Sequence, residues 1–440
     1  MNVAVIGQGF VGLSLSVFLA SKKIHVFGIE NNKNKLKILQ NGKSTFFEPK
    51  LNNHLKKCIK SKNLEFTDSL NSIFHKLDLI YICVPTPNKK SSIDLTYVKN
   101  VINQIEKLLK NSSKKPLVIV KSTISPGTSQ SLVKILSKRN KNLGSDYYFG
   151  VNPEFLREGS AIDDQFNPHI LVIGTEDLKS QNKIKKFYDK LYAKKIPRIY
   201  TNFSTSELIK YSNNAFLATK ISFINSVSNL CEKVPGANVD DIAKAIGLDP
   251  RIGPYFLKAG PGFGGSCLPK DLTSFIHVYR SFDVAPTLFS SVKNVNNNQL
   301  NQIISILENK FNKFSGKTIS ILGLSFKENS DDIRESRSIK LIKNLLKKKS
   351  NVKVFDLLAI NNTRKIFGEK IIYCNSIYDC FKNSDCAIIM NPDPYFTKIS
   401  NKDFQSMKHK LVIDTRRIVE QKNFQGVEFI ALGVSQNNQK

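Results

Sequence analysis

Residues 2–12 read NVAVIGQGFVG, and residues 25–30 read HVFGIE. The first stretch is a short apolar strand running into Gly7, Gly9 and Gly12, and the residues after it keep a helical pattern to about Ser21. Strand, glycine turn and helix in that order are the setting in which a GxGxxG pattern cradles a dinucleotide pyrophosphate on backbone N–H groups. HVFGIE reads as the second strand of the unit, and Glu30 follows the glycines by about 20 residues, where a carboxylate accepts the adenosine ribose hydroxyls. The same charge repels a 2′-phosphate. The stretch therefore predicts an α/β fold with a Rossmann-like, doubly wound start and NAD rather than NADP as cofactor.

Outward from this unit the pattern repeats. DLIYICVPTPN (78–88) and PLVIVKSTISPGT (116–128) are apolar strands ending in proline-containing loops, which places both loops at the carboxyl edge of a parallel sheet. HILVIGT and a helix near 181–192 complete a first domain over 1–200. Residues 205–234 then keep helical spacing without a proline until Pro235, which predicts a long central helix. NVDDIAKAIGLD predicts a short helix and 291–314 another long one, giving a central helical and dimerisation domain over 201–314. Strands at KTISILGL, VKVFDL, CAIIMN and KLVIDT predict a second Rossmann-like domain over 315–440. Its first strand runs into GLSFKENS instead of GxGxxG, so no second dinucleotide is expected there.

Composition narrows the class. At 440 residues the chain exceeds one ordinary core. The formal net charge is +30, but arginine supplies only ten of the 66 basic residues, and the lysines are scattered among asparagines on polar faces. Arginine clustered with aromatics, the usual signature of nucleic-acid reading, is not seen. A solvated surface is expected, with no specific nucleic-acid partner. The seven cysteines form no CxxC pair and no metal-ligand spacing with the six histidines, which predicts no metal and a reducing cytoplasm. The apolar run from Phe10 to Ala20 has no basic flank and opens on the glycine pattern, so neither a leader nor a membrane span is read there.

The chemistry is concentrated in residues 256–271, FLKAGPGFGGSCLPKD. Pro269 suits the first turn of a helix, which puts Cys267 just ahead of that helix's N-terminus. The dipole and unpaired N–H groups at such an end stabilise a thiolate, and Asp271 lies about one turn further on. Taken alone, the stretch reads equally as a glycine-rich turn around a buried structural cysteine. The glycines Gly262, Gly264 and Gly265 permit close backbone approach.

GGSCLPKD resembles the active-site loop of the UDP-glucose/GDP-mannose dehydrogenase family, NAD-dependent enzymes that oxidise a sugar CH2OH to a carboxylate. RIGPYFLKAGPGFGGSC (251–267) is most similar to the UDP-glucose branch. The resemblance extends along essentially the full chain through at least six ordered motifs. It implies Cys267, Lys210, Asn214, Asp271, Glu154 and Thr123 as catalytic residues. For the cofactor it implies Gly7, Gly9, Phe10, Val11, Gly12, Glu30, Lys35, Thr86, Thr123, Glu158, Lys270 and Arg334. For the nucleotide sugar it implies Glu154, Phe155, Leu156, Lys210, Asn214, Arg251, Phe256, Lys258, Gly264, Phe326, Lys327 and Arg416. It further implies UDP-glucose as substrate and a homodimer in which Arg251 reaches the partner's sugar site.

Read without the resemblance, Glu154, Arg157 and Glu158 are a charged helix start with surface pairing, and Lys210 and Asn214 are an i, i+4 pair on one helix face. The segment KKSSIDL departs from the family, which carries a glycine after VPTPN, and Asp356-Leu357 replaces its usual Asp-Pro. Three other readings compete: the same chemistry on GDP-mannose, a dehydrogenase that stops after one hydride and needs no cysteine, and a non-catalytic nucleotide-sugar or nucleic-acid binder.

Overall fold

The computed structural model describes residues 1–89, 91–110, 112–138, 141–193, 195–313, 315–420 and 426–435. They form two compact units, Met1–Asn213 and Asn214–Lys440. Among the described residues no helix is long and apolar enough to cross a membrane.

The first unit is built on β1 (Asn2–Ile6), β2 (His25–Ile29), β3 (Leu64–Thr67), β4 (Leu79–Ile82), β5 (Leu117–Val120), β6 (Tyr148–Val151), β7 (Leu171–Gly174) and β8 (Arg198–Thr201). Runs such as VAVI, LIYI and LVIV are buried along their whole length, as strands covered on both faces must be. The order across the sheet is β8-β7-β6-β5-β4-β1-β2-β3. The register sets Asn2 beside His25 and Val3 beside Leu79, so the turns after β1 and β4 lie side by side at one edge. The sheet is not wholly parallel: β7 runs against β6, meeting it at Val151 and Gly174, and β8 follows β7. The segment between β6 and β7 is spent on an irregular loop and the short helix Ala161–Phe166, instead of on a crossover helix. Helix α1 (Phe10–Ser21) covers one face, with Phe18 stacked on Tyr192 and edge-on to Phe166.

A 29-residue helix, α2 (Phe203–Cys231), runs from the first unit into the second. In the second unit α3 (Val239–Gly247) is capped by the Asn238 side chain, and α4 (Leu268–Ser281) and α5 (Thr287–Phe311) follow. The long helix expected over 291–314 begins earlier, directly after Pro286. The second sheet contains β9 (Thr318–Leu322), β10 (Asn351–Phe355), β11 (Ile372–Tyr373), β12 (Cys386–Ile389), β13 (Leu411–Asp414) and β14 (Glu428–Ala431). Its order is β11-β10-β9-β12-β13-β14, parallel throughout. Two of these, β11 and β14, are short edge strands that the apolar pattern did not reveal.

The turn after β9 is closed on the chain itself. Asp356, at the end of β10, accepts the N–H groups of Leu324, Leu358 and Ala359 at 2.6–2.8 Å. The corresponding carboxylate of the first unit, Glu30, accepts the Asn32 N–H at 2.9 Å and, among the described residues, no comparable set of backbone donors. The two Rossmann-like sheets thus share the order of their first six strands and differ in what their carboxylates do.

Candidate active site

In the first unit the nucleotide cradle is assembled by backbone. Gly7 has φ +92°, and a Cβ there would sit 2.8 Å from the Cys83 carbonyl oxygen. A Cβ on Gly12 would lie 1.8 Å from the Gly7 carbonyl oxygen, so that position admits glycine alone. Gly9 caps α1, and the space where its Cβ would point is open. Open space over the first N–H groups of α1, with Glu30 nine-tenths buried at the end of β2, fits the pyrophosphate and ribose of a dinucleotide. Phe10 and Val11 open the helix, Thr86 is buried and Thr123 half-buried on the loops after β4 and β5, and Lys35 is exposed.

The Glu154 loop is irregular, not the helix start that its charges suggest. Arg157 turns away to Asp164, pairing through both Nε and Nη2 at 2.6–3.0 Å, and Glu158 is half-buried. Glu154 turns inward. Its Oε2 accepts the Leu156 N–H at 2.6 Å, and its Oε1 takes the Lys210 ammonium at 3.0 Å. Lys210 Nζ also donates to the Glu154 carbonyl at 2.7 Å and stands 5.3 Å from the centre of the Phe155 ring. Burial opposes ionisation of Glu154, but the Lys210 charge, the Leu156 N–H and the Lys121 charge outweigh it and hold the carboxyl below the ordinary glutamate range. Glu154 is therefore a carboxylate at neutral pH.

Glu207, one turn before Lys210 on α2, has a role that sequence reasoning missed. Its carboxylate accepts Gly127 N–H at 2.7 Å, Ser129 N–H at 2.8 Å and the Ser129 hydroxyl at 2.6 Å. It thereby satisfies the N-terminus of the helix Thr128–Leu136 and anchors the Thr123 loop to the helix that carries Lys210. A glutamate in a run of helical spacing gives no local hint of this; the only signal was the pairing of ELIK with an SPGT loop.

In the second unit Cys267 is the N-cap residue of α4, with Pro269 in the first turn. It is half-buried, while the other cysteines are buried, and its sulfur lies 3.6 Å from the Ser266 hydroxyl. The Asp271 N–H donates to the Cys267 carbonyl at 2.8 Å. The Asp271 carboxylate is almost fully buried: Oδ2 accepts Asn214 Nδ2 at 2.6 Å, while Oδ1 forms an ion pair with Lys270 Nζ at 2.8 Å without a hydrogen bond. Asn214 and Lys210 are i and i+4 on α2, so one helix presents both donors from one face.

The glycines of the cysteine loop approach the chain's own atoms. A Cβ on Gly265, at φ +85°, would stand 2.8 Å from the Phe326 ring, and one on Gly264 would meet the Glu335 carbonyl at 2.5 Å. Two arginines absent from the sequence reading hold the loop's carbonyls. Buried Arg337 donates to Pro261 O at 2.9 Å and Asn296 O at 2.7 Å, and Arg417 donates to Ala259 O at 3.0 Å while pairing with Asp240. Each is a near neighbour in sequence of an arginine that the family resemblance implies, Arg334 or Arg416.

Of the residues expected to contact ligand here, Arg416 packs under Gly260 and donates to Met390 O, and Phe326 and Lys327 are half-buried. Phe256, Lys258, Arg251 and Arg334 are exposed; Arg251 pairs with Asp249 and Arg334 with Asp332 of the same chain. The second unit supplies a cysteine at a helix N-terminus with a buried carboxylate beside it, and the first unit supplies a carboxylate–ammonium pair. Those are the parts of nucleophilic and general-base chemistry.

Comparison with known proteins gives a consistent result. The model of the UDP-glucose/GDP-mannose dehydrogenase family's NAD binding domain matches residues 1–192, its central domain 204–298 and its UDP binding domain 320–421. A UDP-glucose 6-dehydrogenase of Rickettsia conorii is 35% identical over 436 residues, covering 98% of each chain. One of Bacillus subtilis is 37% identical over 433 residues, covering 98% of this chain and 92% of the relative. The solved UDP-glucose dehydrogenase of the archaeon Pyrobaculum islandicum superposes with a TM-score of 0.91 at 30% identity, covering 99% of this chain and 98% of its own.

Proposed function

Because this chain belongs to the UDP-glucose/GDP-mannose dehydrogenase family, we propose that it oxidises UDP-glucose to UDP-glucuronate with NAD. The observation that carries the reading is Cys267 at the N-cap of α4 with the buried Asp271 one turn on, in a chain that also holds the glycine cradle of β1 and α1.

Bound on the β1–α1 turn with its ribose on Glu30, NAD supplies the hydride acceptor for each of two oxidations. Gly7, Gly9 and Gly12 bring backbone N–H groups to the pyrophosphate, with Phe10, Val11, Lys35, Thr86, Glu158, Lys270 and Arg334 as further cofactor contacts. A water held by Asp271, or Lys210 in its neutral form, takes the C6 hydroxyl proton. The Cys267 thiolate adds to the resulting aldehyde, and the thiohemiacetal is oxidised to a thioester, so no free aldehyde leaves. Lys210 and Asn214 donate to the oxygen on the reacting carbon; such a donor is typically worth about 3–4 kcal/mol. Glu154 then takes a proton from water, which attacks the thioester, releases the carboxylate and returns Cys267. Thr123 would face the nicotinamide ring of a bound NAD. Phe155, Leu156, Phe256, Lys258, Gly264, Phe326, Lys327 and Arg416 line the sugar nucleotide site, and Arg251 serves that of a partner.

A homodimer is supported by the exposed face of α2, where Phe216, Phe223 and Leu230 recur at heptad spacing with 53–64% of their surface open. The boundaries 1–200, 201–314 and 315–440 remain our reading of the domains, with the chain working in a reducing compartment.

The test is NADH absorbance with purified protein, NAD and a panel of UDP- and GDP-sugars. UDP-glucose should give two NADH per sugar consumed. Preference for a GDP-sugar would move the substrate within the family, and no NADH with any sugar would leave only a binding function.

A further inference from the structure

Behind the Glu154 loop lies a buried polar chain with no part in those steps. Lys121, directly after β5, is 7% exposed. Its ammonium donates to Asn152 Oδ1 at 2.8 Å and, longer, to the Asn152 carbonyl at 3.5 Å. The same Oδ1 accepts the Tyr188 hydroxyl at 2.6 Å, the Tyr188 oxygen accepts the Tyr81 hydroxyl at 3.0 Å, and Asn152 Nδ2 is spent on Val172 O at 2.7 Å. Lys121, Asn152 and Glu154 also line a small cavity of about 30 Å³, shared with Asp164 and His169. That volume holds about one water molecule.

An amide and two phenols do not neutralise an ammonium, and a buried charge needs a counter-charge. The ionisable groups that Lys121 feels are Cys83, Glu154 and Lys210; Asp164 is committed to Arg157, and His169 faces the same cavity. Burial pushes the Cys83 thiol up to about 12, so it stays neutral and the negative charge facing Lys121 comes from Glu154, one of whose oxygens Lys210 holds at 3.0 Å.

We propose that Lys121 is a positioning residue acting through Glu154: with Lys210 it forms a pair of buried cations that keeps the carboxylate ionised and ready to accept a proton from water. The proposal rests on the reading of Glu154 as the hydrolytic base. The electrostatics agree in direction. Burial pushes Glu154 up, and the charges of Lys210 and then Lys121 pull it down, while burial lowers Lys121 itself to about 8. The alternative is that Lys121 merely anchors Asn152 by a hydrogen bond.

Three variants separate the two. Lys121→Gln keeps a donor for Asn152 and removes the charge, Lys121→Met removes both, and Lys121→Arg restores the charge. The Glu154 carboxyl is followed by ¹³C NMR titration of the full chain, assigned by difference against Glu154→Gln, and the acid limb of the single-turnover rate is measured beside it. Both neutral variants should raise the Glu154 midpoint by about half a pH unit, and the acid limb with it, slowing that limb about threefold; Arg should restore both. A Gln variant that titrates as wild type overturns the proposal, and this comparison stands even if the Met variant fails to fold. A shifted carboxyl with an unshifted rate would instead remove Glu154 from the hydrolytic step and leave the tuning intact.

Discussion

Replacing Glu154 with Gln separates the two halves of the proposed reaction. Both carboxylate oxygens are committed, Oε2 to the Leu156 N–H at 2.6 Å and Oε1 to the Lys210 ammonium at 3.0 Å. Glutamine has one acceptor oxygen, so one of these donors must face an NH2 group in a site only 9% exposed. Leaving a buried donor unsatisfied costs about 1–3 kcal/mol, roughly 5 °C of melting temperature in a domain of this size. The protein should therefore fold. The kinetic effect is larger, because a lost general base slows its step by about 10²–10⁴-fold. Both hydride transfers precede that step, so rapid mixing with NAD and UDP-glucose should show a burst approaching two NADH per site, followed by slow turnover. Intact-protein mass should show a sugar nucleotide adduct that maps to the peptide containing Cys267. Cys267→Ser, run in parallel, should give neither the adduct nor sustained turnover, because a hydroxyl is far less ionised than a thiol at a helix N-terminus. Steady-state turnover of Glu154→Gln within about twofold of wild type, with no adduct, would refute the assignment of the base.

Other expectations follow from single contacts. Glu30→Ala should narrow the preference for NAD over NADP, read as the ratio of kcat/KM values; equal use of both cofactors by the unaltered protein would contradict the role of Glu30. Gly12→Ala should abolish NAD binding in calorimetry or prevent folding, since its Cβ would lie 1.8 Å from the Gly7 carbonyl oxygen; normal binding would show that the turn is looser than described. Lys121 carries a linkage prediction. Burial lowers it from 10.5 to about 8, so between those values the unfolded chain binds more protons than the folded one. Wild type should thus gain stability relative to Lys121→Met as pH rises through that window, by up to about 3 kcal/mol. A gap in melting temperature that stays constant from pH 8 to 10.5 would show that burial does not lower Lys121.

What could be read directly from the residues is what depends on near neighbours along the chain. The β1–α1–β2 unit is legible because a strand, a glycine turn and a helix each declare themselves within a dozen positions. Only glycine tolerates φ +92° at Gly7 or an approach of 1.8 Å at Gly12. Cys267 at a helix start is legible for the same reason, through Pro269. Residues whose partners are far away in sequence were decided by tertiary packing. Glu207 caps a helix 78 positions earlier, Asn214 bonds Asp271 across 57, and Arg337 reaches Pro261 across 76. None of these residues has a local pattern that distinguishes it from a solvated one. The reversal of β7 and the inward turn of Glu154 belong to the same class, because what settles them is which groups find a buried partner once the sheet has closed. Lys121 is the extreme case: one lysine among many in a chain of net charge +30, set apart only by being folded into the core beside a carboxylate.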